Sequence, residues 1–204
     1  RHGVYIVGYT DGTFGPSRSM TRAEAAAIFA RLLAEKNGDT ISTAANTKFA
    51  DIPAHAWYSG YVKYLANNGI TYGKSKTIFA PNDAITRAEF TTMAVRFFDV
   101  YGDGDAEIME QFSGFNDVSS GYWAAEYIKY AALHGWINGY GDGSFHADRE
   151  INRAEVVTIV NRLLGREADE DYIADNLRKL NTFPDVSRKH WAYYAVMEAA
   201  NAHT

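Results

Sequence analysis

The sequence contains no cysteine and only four prolines in 204 residues. The lack of cysteine excludes disulfides, thiolate nucleophiles and cysteine-based zinc sites. No apolar run approaches the length of about 20 residues that a membrane-spanning helix requires, so no membrane span is expected. The formal net charge is −5. This balance argues against binding to nucleic acid or anionic membranes, which requires a basic surface, so an anionic partner would have to be held by a few well-placed cations.

The chain repeats two short motifs. A Phe-x-Asp-hydrophobic motif occurs three times, and a tryptophan follows each Phe by eight residues; the three tryptophans are Trp57, Trp123 and Trp191. A Thr-Arg-Ala-Glu motif occurs at residues 21–24 and 86–89, and Asn-Arg-Ala-Glu stands at 152–155. Before each of these lies a glycine loop that ends in Phe, seven residues ahead of the Thr or Asn. The agreement in spacing and residue type predicts an internal repeat.

The order of the motifs predicts three units, one of which is divided between the two ends of the chain. Residues 1–48 hold the second half of a repeat and a connector, residues 49–114 and 115–182 are full repeats with connectors, and residues 183–204 are a first half. Apolar residues at helical spacing predict two helices in each repeat. We expect an all-α fold of three helix-loop-helix repeats around a pseudo-threefold axis, with the N- and C-terminal pieces completing one repeat.

The Thr-x-x-Glu spacing is that of a capping box, which explains Thr and Glu by helix initiation alone. The arginines between them, Arg22, Arg87 and Arg153, then occupy the first helical position, where the macrodipole disfavours a cation. We expect them to contribute little to helix stability. Two interpretations are open. The arginine and the free helix amides hold a carboxylate or phosphate, or the arginine pairs with an acidic neighbour, for which Asp51, Asp117 and Asp185 are candidates.

The glycine loops and the tryptophans are further candidate binding elements. The turns at Asp11-Gly12 and Asp142-Gly143 either expose backbone amides to an anion or are tight connectors. The middle loop has Gly73-Lys74 and lacks the Asp-Gly pair. The three tryptophans are expected to pack in the core or between units. The alternative is that each indole offers a flat platform for a sugar ring.

An enzyme is the competing class, because Glu24, Glu89 and Glu155 lie near the candidate site and paired carboxylates can hydrolyse glycosides. The capping box accounts for all three, however, and a carboxylate repeated three times does not suit a single active centre. No catalytic residue and no cofactor are expected. No metal is expected either, because the six histidines show no metal-ligand spacing and the acidic run at Asp103 and Asp105 does not match an EF-hand loop.

Together these motifs resemble the S-layer homology family. Its pattern is a Phe-x-Asp-hydrophobic start, a Trp-containing helix, a Gly-Tyr-x-Asp-Gly-Thr-Phe loop and a Thr-Arg-Ala-Glu second helix, and the likeness covers nearly the whole chain outside the connectors. The resemblance implies a three-pronged helical spindle. It also implies an extracellular role, the non-covalent anchoring of a bacterial surface protein to the cell wall, usually through a secondary polysaccharide with pyruvylated N-acetylmannosamine. Modified peptidoglycan and a protein partner are the alternatives.

The resemblance also implies where the ligand lies, namely in grooves between neighbouring units, where the motif arginine meets the acidic sugar. The implied ligand-binding residues are the motif arginines, the helix tryptophans and residues of the glycine loops: Arg22, Arg87, Arg153, Trp57, Trp123, Trp191, Gly8, Tyr9, Asp11, Gly73, Lys74, Gly139, Tyr140 and Asp142. The grooves are expected to be unequal, because the middle loop departs from the pattern. The isolated module is expected to be a monomer.

Overall fold

The structure is a computed structural model that describes residues 2–102 and 111–203. The acidic run at Asp103 and Asp105 lies outside these ranges. Within them the regular structure consists of seven α-helices, with isolated β-bridges and no strand. The predicted all-α class is confirmed. None of the described helices is long and apolar enough to cross a membrane.

The helices follow the repeat. The first helix of a repeat is short and comes just after the tryptophan: α2 (Ser59–Asn67), α4 (Ala125–Leu133) and α7 (Tyr193–Ala200). The second helix is longer and begins at the motif arginine: α1 (Arg22–Asn37), α3 (Arg87–Tyr101) and α5 (Arg153–Leu163). One further helix, α6 (Glu170–Asn176), lies outside this pattern.

The three predicted capping boxes are all present. In each second helix the cap side chain accepts a hydrogen bond from the third helical amide, and the glutamate at that position accepts one from the cap amide; the pairs are Thr21–Glu24, Thr86–Glu89 and Asn152–Glu155. The helices therefore start where the sequence predicts. The same geometry gives each motif glutamate a structural partner.

Helix α6 lies within residues 165–182, the polar connector of the second full repeat, where the sequence analysis predicted no helix. The side chain of Asp169 caps the helix by accepting from the amide of Tyr172 at 2.8 Å. Glu170 and Asp171 lie in the first turn, where the macrodipole favours negative charge. Only Ile173 of this helix is buried. The apolar residues Tyr172, Ile173 and Ala174 are consecutive and do not recur at helical spacing, which is why the pattern did not indicate a helix.

The chain divides into two compact units, which are described separately. The terminal unit combines Arg1–Ser19 with Asn152–Thr204, and the central unit is Met20–Ile151. In the central unit α1 packs on α2 and α3, and α3 packs on α4. In the terminal unit α5 packs on α7, and the buried hydroxyl of Tyr5 lies 2.5 Å from the amide oxygen of Asn161. The pseudo-threefold arrangement of the repeats stays a prediction.

Candidate functional site

Each glycine loop is fixed at its phenylalanine by the aspartate of a Phe-x-Asp motif. The carboxylate accepts hydrogen bonds of 2.7–2.9 Å from two consecutive loop amides: Asp51 from Phe79 and Ala80, Asp117 from Phe145 and His146, and Asp185 from Phe14 and Gly15. The second residue of each pair is left-handed, with φ of 57°, 55° and 66°. Such a turn directs successive amides toward one anion. That anion is the chain's own aspartate.

The third of these pairs joins the two ends of the chain. Asp185 comes from the C-terminal piece and Phe14 from the N-terminal piece, so the terminal unit brings a Phe-x-Asp motif and its glycine loop together from both ends of the chain. Helix α1, the second helix of that repeat, belongs to the central unit, and the completion of one repeat by the two terminal pieces stays a prediction. The aspartates are engaged by loop amides in all three repeats. Their pairing with the motif arginines stays a prediction.

The first glycine of each loop is required by close packing. The motif phenylalanine packs against the loop phenylalanine with ring centroids 5.2–5.5 Å apart. A Cβ atom at Gly8 would lie 2.5 Å from the ring of Phe183 and 2.8 Å from the carbonyl oxygen of Thr13. Equivalent clashes, with motif phenylalanines and loop carbonyls, would arise at Gly73 and Gly139. These glycines thus have a structural reason that is independent of any ligand.

The Asp-Gly pairs form tight turns. Asp11 accepts from the amide and hydroxyl of Thr13 at 2.9 and 2.6 Å, and Asp142 accepts from those of Ser144 at 3.0 and 2.5 Å. The hydrogen bonds from these side chains, followed by those from the amides, lower the pKa of Asp11 and Asp142. The connector interpretation of the turns explains both aspartates.

The motif arginines are buried and bind backbone carbonyls. The exposed fractions of Arg22, Arg87 and Arg153 are 4, 6 and 4%. Each donates from Nε to the carbonyl oxygen of a loop phenylalanine; the bonds are Arg22–Phe79 at 2.7 Å, Arg87–Phe145 at 2.9 Å and Arg153–Phe14 at 2.8 Å. Arg22 also pairs with Glu89. Burial lowers the pKa of Arg22, with Glu89 opposing that shift, and burial also lowers the pKa of Arg87.

The helix amides beside these arginines have partners within the chain. In α1 the amide of Arg22 donates to Asp83 at 2.9 Å and that of Ala23 to Pro81 at 3.0 Å. The first two amides of α3 and of α5 likewise donate to backbone carbonyls. The third amide of each helix donates to the cap side chain. The first three amides of each helix are therefore not free, which removes the helix amides from the anion-binding interpretation of the motif arginines.

The three tryptophans that lie just before the first helices of the repeats are exposed. The exposed fractions of Trp57, Trp123 and Trp191 are 55, 57 and 66%. The expectation that they pack in the core or between units is therefore wrong. Their exposure leaves the alternative, an indole face available to a ligand.

A groove with a volume of about 500 Å³ lies in the central unit, and we call it the central groove. Four of the residues predicted from the sequence line it: Arg22, Gly73, Lys74 and Trp123. Its other walls include Tyr72, Glu89, Arg96, Tyr122 and Asp148. The structure therefore brings a motif arginine, a loop lysine and a helix tryptophan to one concave surface.

Arg96 is a groove cation that the sequence analysis missed. Its guanidinium lies 4.6 Å from the ring centre of Tyr72 and 5.0 Å from that of Tyr127, and Nε is 3.3 Å from the Tyr127 hydroxyl. No ion pair joins it to a carboxylate in the described part of the chain. The signal was present, because an arginine stands nine residues after every motif arginine, at positions 31, 96 and 162.

The other charges of the central groove are largely paired. Arg22 and Glu89 neutralise each other. Lys74 lies 3.1 Å from Asp83, and both side chains are exposed, so this pair is weak and the lysine can reach a ligand. The hydroxyl of Tyr122 donates to Asp148 at 3.0 Å. Arg96 is thus the lining cation best placed to receive an external anion.

The family comparison matches the repeats found in the sequence. The family described as S-layer homology domain matches residues 1–26, 48–91 and 114–157, together more than half of the chain. The chain belongs to the S-layer homology domain family. The matched segments contain all three glycine loops and all three second-helix motifs.

Similar proteins share this domain. The chain is 35% identical over its full length to Cell surface glycoprotein 1 of Acetivibrio thermocellus, of which it spans 9%. It is 31% identical over its full length to the Cellulosome-anchoring protein of the same organism, of which it spans 43%. Over 78% of its length it is 32% identical to the Surface-layer 125 kDa protein of Lysinibacillus sphaericus, of which it spans 13%. The chain spans less than half of each of these relatives.

Family membership confirms several predictions from the sequence. The family itself, its repeat organisation and the location of this S-layer homology module at the cell surface agree with the expectations. The motif residues have structural roles in loop positioning, as described above. Their contacts with a ligand stay a prediction.

Proposed function

We propose that this S-layer homology module anchors a bacterial surface protein to the cell wall by binding an acidic, pyruvylated polysaccharide in the central groove. Family membership and relatives such as the Cellulosome-anchoring protein support the anchoring role. The proposal treats the module as a non-catalytic monomer that uses no cofactor. The motif glutamates support the absence of catalysis, because each serves a capping box.

One observation carries the choice of ligand. The central groove combines the exposed indole of Trp123 with the guanidinium of Arg96, which has no carboxylate partner within the described residues. An indole face supports the apolar face of a sugar ring. A planar guanidinium binds a carboxylate through two parallel hydrogen bonds. A sugar that carries a carboxylate satisfies both groups at once.

The motif arginines have a second role in this proposal. Arg22 lines the central groove, and its bond to Phe79 fixes the loop that carries Lys74. Arg87 lies 5.1 Å from the ring centre of Tyr140, and Arg153 lies 4.8 Å from that of Tyr9. As the resemblance implies, we extend the proposed ligand contacts to these two arginines, to the residues of the glycine loops, and to Trp57 and Trp191.

The test is calorimetric titration of the module with purified cell-wall polysaccharide, before and after chemical removal of its pyruvate. Binding that disappears with the pyruvate is expected, because the carboxylate is the proposed partner of Arg96. Binding that survives would assign recognition to the sugar backbone, and binding to peptidoglycan alone would assign the module to the alternative wall polymer. Absence of binding to every wall fraction would overturn the anchoring proposal for this chain.

Single variants locate the site. Arg96→Ala is expected to weaken binding by at least about tenfold, the effect of losing one charge-assisted contact of about 1.5–3 kcal/mol. Arg178→Ala is the matched control, because Arg178 is exposed and does not line the central groove. Equal affinities of the two variants would contradict the assignment of Arg96.

A further inference from the structure

A cluster of two histidines and one glutamate lies in the terminal unit and shares no residue with the lining of the central groove. His2, Glu198 and His203 each offer one ligand atom, and these atoms all lie within 4.8 Å of one another. The Nδ1 atom of His2 is 2.7 Å from one carboxylate oxygen of Glu198, and the Nε2 atom of His203 is 2.5 Å from the other. The pattern escaped the sequence analysis because 196 residues separate His2 from Glu198.

The carboxylate at the centre of this cluster is buried. The Glu198 side chain is only 1% exposed, and within the described residues its carboxylate oxygens contact the two imidazoles. A buried carboxylate requires a compensating positive charge or strong hydrogen bonds. A divalent cation supplies that charge. In the structure the two imidazoles supply the hydrogen bonds, and a cation held by all three side chains meets the same requirement.

We propose that His2, Glu198 and His203 bind a divalent transition metal, with Zn²⁺ as the physiological type. Two imidazole nitrogens and one carboxylate oxygen are a donor set that suits zinc, whereas Ca²⁺ and Mg²⁺ prefer all-oxygen sites. Tetrahedral zinc with bonds of about 2.0–2.2 Å holds its ligand atoms about 3.3–3.5 Å apart. The separations of 2.7 and 2.5 Å from the Glu198 oxygens are shorter than that, so zinc binding requires both imidazole nitrogens to move away from the carboxylate.

The surroundings allow entry and hold the ligands in place. The side chain of His2 is 39% exposed and that of His203 is 16% exposed, so solvent reaches the site from the histidine side. The two histidines are also joined by backbone hydrogen bonds, 2.9 Å from the His2 amide to the His203 carbonyl and 3.3 Å in reverse. A metal at this point fastens the first described residues of the chain to the last ones.

Metal binding must displace protons. In the structure each imidazole nitrogen lies at hydrogen-bonding distance from a Glu198 oxygen, and a hydrogen bond there requires a proton between the two atoms. A neutral imidazole frees that nitrogen for zinc by moving its proton to the other ring nitrogen, whereas a doubly protonated imidazole must release a proton to the solvent. The affinity for zinc therefore falls as the pH is lowered. The competing explanation of the same geometry is that the two imidazoles hydrogen-bond to Glu198 and no metal binds.

The test is calorimetric titration of untagged, EDTA-treated protein with zinc chloride at pH 7.5 and pH 5.5. We expect one equivalent to bind, with weaker affinity at the lower pH and a higher melting temperature in zinc than in EDTA. His203→Ala and Glu198→Gln are expected to weaken binding by more than about 10–100-fold, the range for the loss of a supporting residue alone. Calcium chloride is expected not to bind.

The matched control is His55→Ala, because His55 is exposed and does not belong to the cluster. It is expected to leave zinc binding unchanged. If Glu198→Gln does not fold, His2→Ala decides, since His2 is partly exposed. Absence of saturable zinc binding, or equal zinc affinity of His203→Ala and the unaltered protein, would overturn the metal site. The hydrogen bonds of the two imidazoles to Glu198 would then be the whole role of the cluster. These results do not depend on whether the central groove binds polysaccharide.

Discussion

The Nε atom of Arg153 donates a hydrogen bond of 2.8 Å to the carbonyl oxygen of Phe14, which lies 139 residues earlier in the chain. Arg153 is 4% exposed, and its Nη2 atom donates to the carbonyl of Val7 at 2.6 Å. The motif arginines of the other two repeats make the same bond to a loop phenylalanine. The motif arginine therefore holds a loop as well as occupying a helix start, so the expectation that it contributes little to stability needs revision.

We predict that Arg153→Ala lowers the free energy of unfolding by about 3–6 kcal/mol. The variant leaves two backbone carbonyls without a charged donor, and each such bond contributes about 1.5–3 kcal/mol. Urea denaturation followed by circular dichroism measures the change. The control Arg178→Ala removes an exposed arginine and is expected to stay within about 0.5 kcal/mol of the unaltered protein. A similar small effect of Arg153→Ala would show that the buried bonds contribute nothing.

The left-handed residue of the middle loop gives a second prediction. Ala80 has φ of 57°, in a position where the first repeat has Gly15 with φ of 66°. A left-handed L-residue costs about 1–2 kcal/mol, and glycine removes that strain at an entropic cost of about 0.5–1 kcal/mol. Ala80→Gly is therefore expected to raise the free energy of unfolding by up to about 1 kcal/mol.

The reverse change at the equivalent position completes this test. Gly15→Ala is expected to destabilise the protein for two reasons. The backbone of residue 15 is left-handed, and an added Cβ atom would lie 2.8 Å from the ring of Tyr9. Thermal unfolding of the two variants under the same conditions measures both effects. A loss of stability in Ala80→Gly would mean that the loop is not strained at this residue.

The aspartates of the Phe-x-Asp motifs, which bind the loop amides, predict a loss of stability in acid. Burial acts to raise the pKa of Asp117 and Asp185, but hydrogen bonds from two loop amides to each carboxylate outweigh it and lower the pKa below its ordinary value. Their stabilising effect is therefore complete above the unfolded pKa of about 3.9 and is lost as the pH falls through the lower folded value. We expect the free energy of unfolding to decrease between about pH 5 and pH 2.

The double variant Asp117→Asn, Asp185→Asn tests the cause of that acid sensitivity. An amide does not titrate in this range, so the difference in unfolding free energy between pH 5 and the acid limit is expected to shrink. Asp175→Asn serves as the control, because Asp175 is an exposed residue of α6 outside the loops. If the double variant shows the same pH dependence as the control, other carboxylates cause the acid sensitivity.

The helices and their starts could be predicted because the relevant signals are local. Thr21 and Glu24 lie three residues apart, and their capping box depends on that spacing alone. The apolar spacing after Trp57 and Trp123 likewise predicted α2 and α4. The two interpretations of the tryptophans could not be separated in this way, because the side on which an indole lies depends on how the helices pack.

The partners of charged side chains could not be predicted, because they are distant in sequence. Nothing local indicates that Arg22 bonds to the carbonyl of Phe79, or that Asp185 accepts from the amides of Phe14 and Gly15. A carbonyl acceptor is present at every residue, so the sequence offered only acidic side chains as candidates. Arg96 is different, because its spacing from Arg87 recurs in all three repeats and a search for repeated arginines would have found it.

Two tryptophans of one repeat separate ligand binding from stability. Trp123 is 57% exposed and lines the central groove, whereas Trp136 is 4% exposed and packs against Phe98 with ring centroids 4.6 Å apart. Trp123→Ala is expected to weaken polysaccharide binding by about tenfold or more while the free energy of unfolding changes by less than about 1 kcal/mol. Trp136→Ala is expected to lose about 3–5 kcal/mol of stability, because it leaves a cavity in the core. Calorimetric binding and urea denaturation of both variants check the pair. Unchanged binding in Trp123→Ala would remove the indole from the proposed site, and a large loss of stability there would show that its exposed face is not free for a ligand.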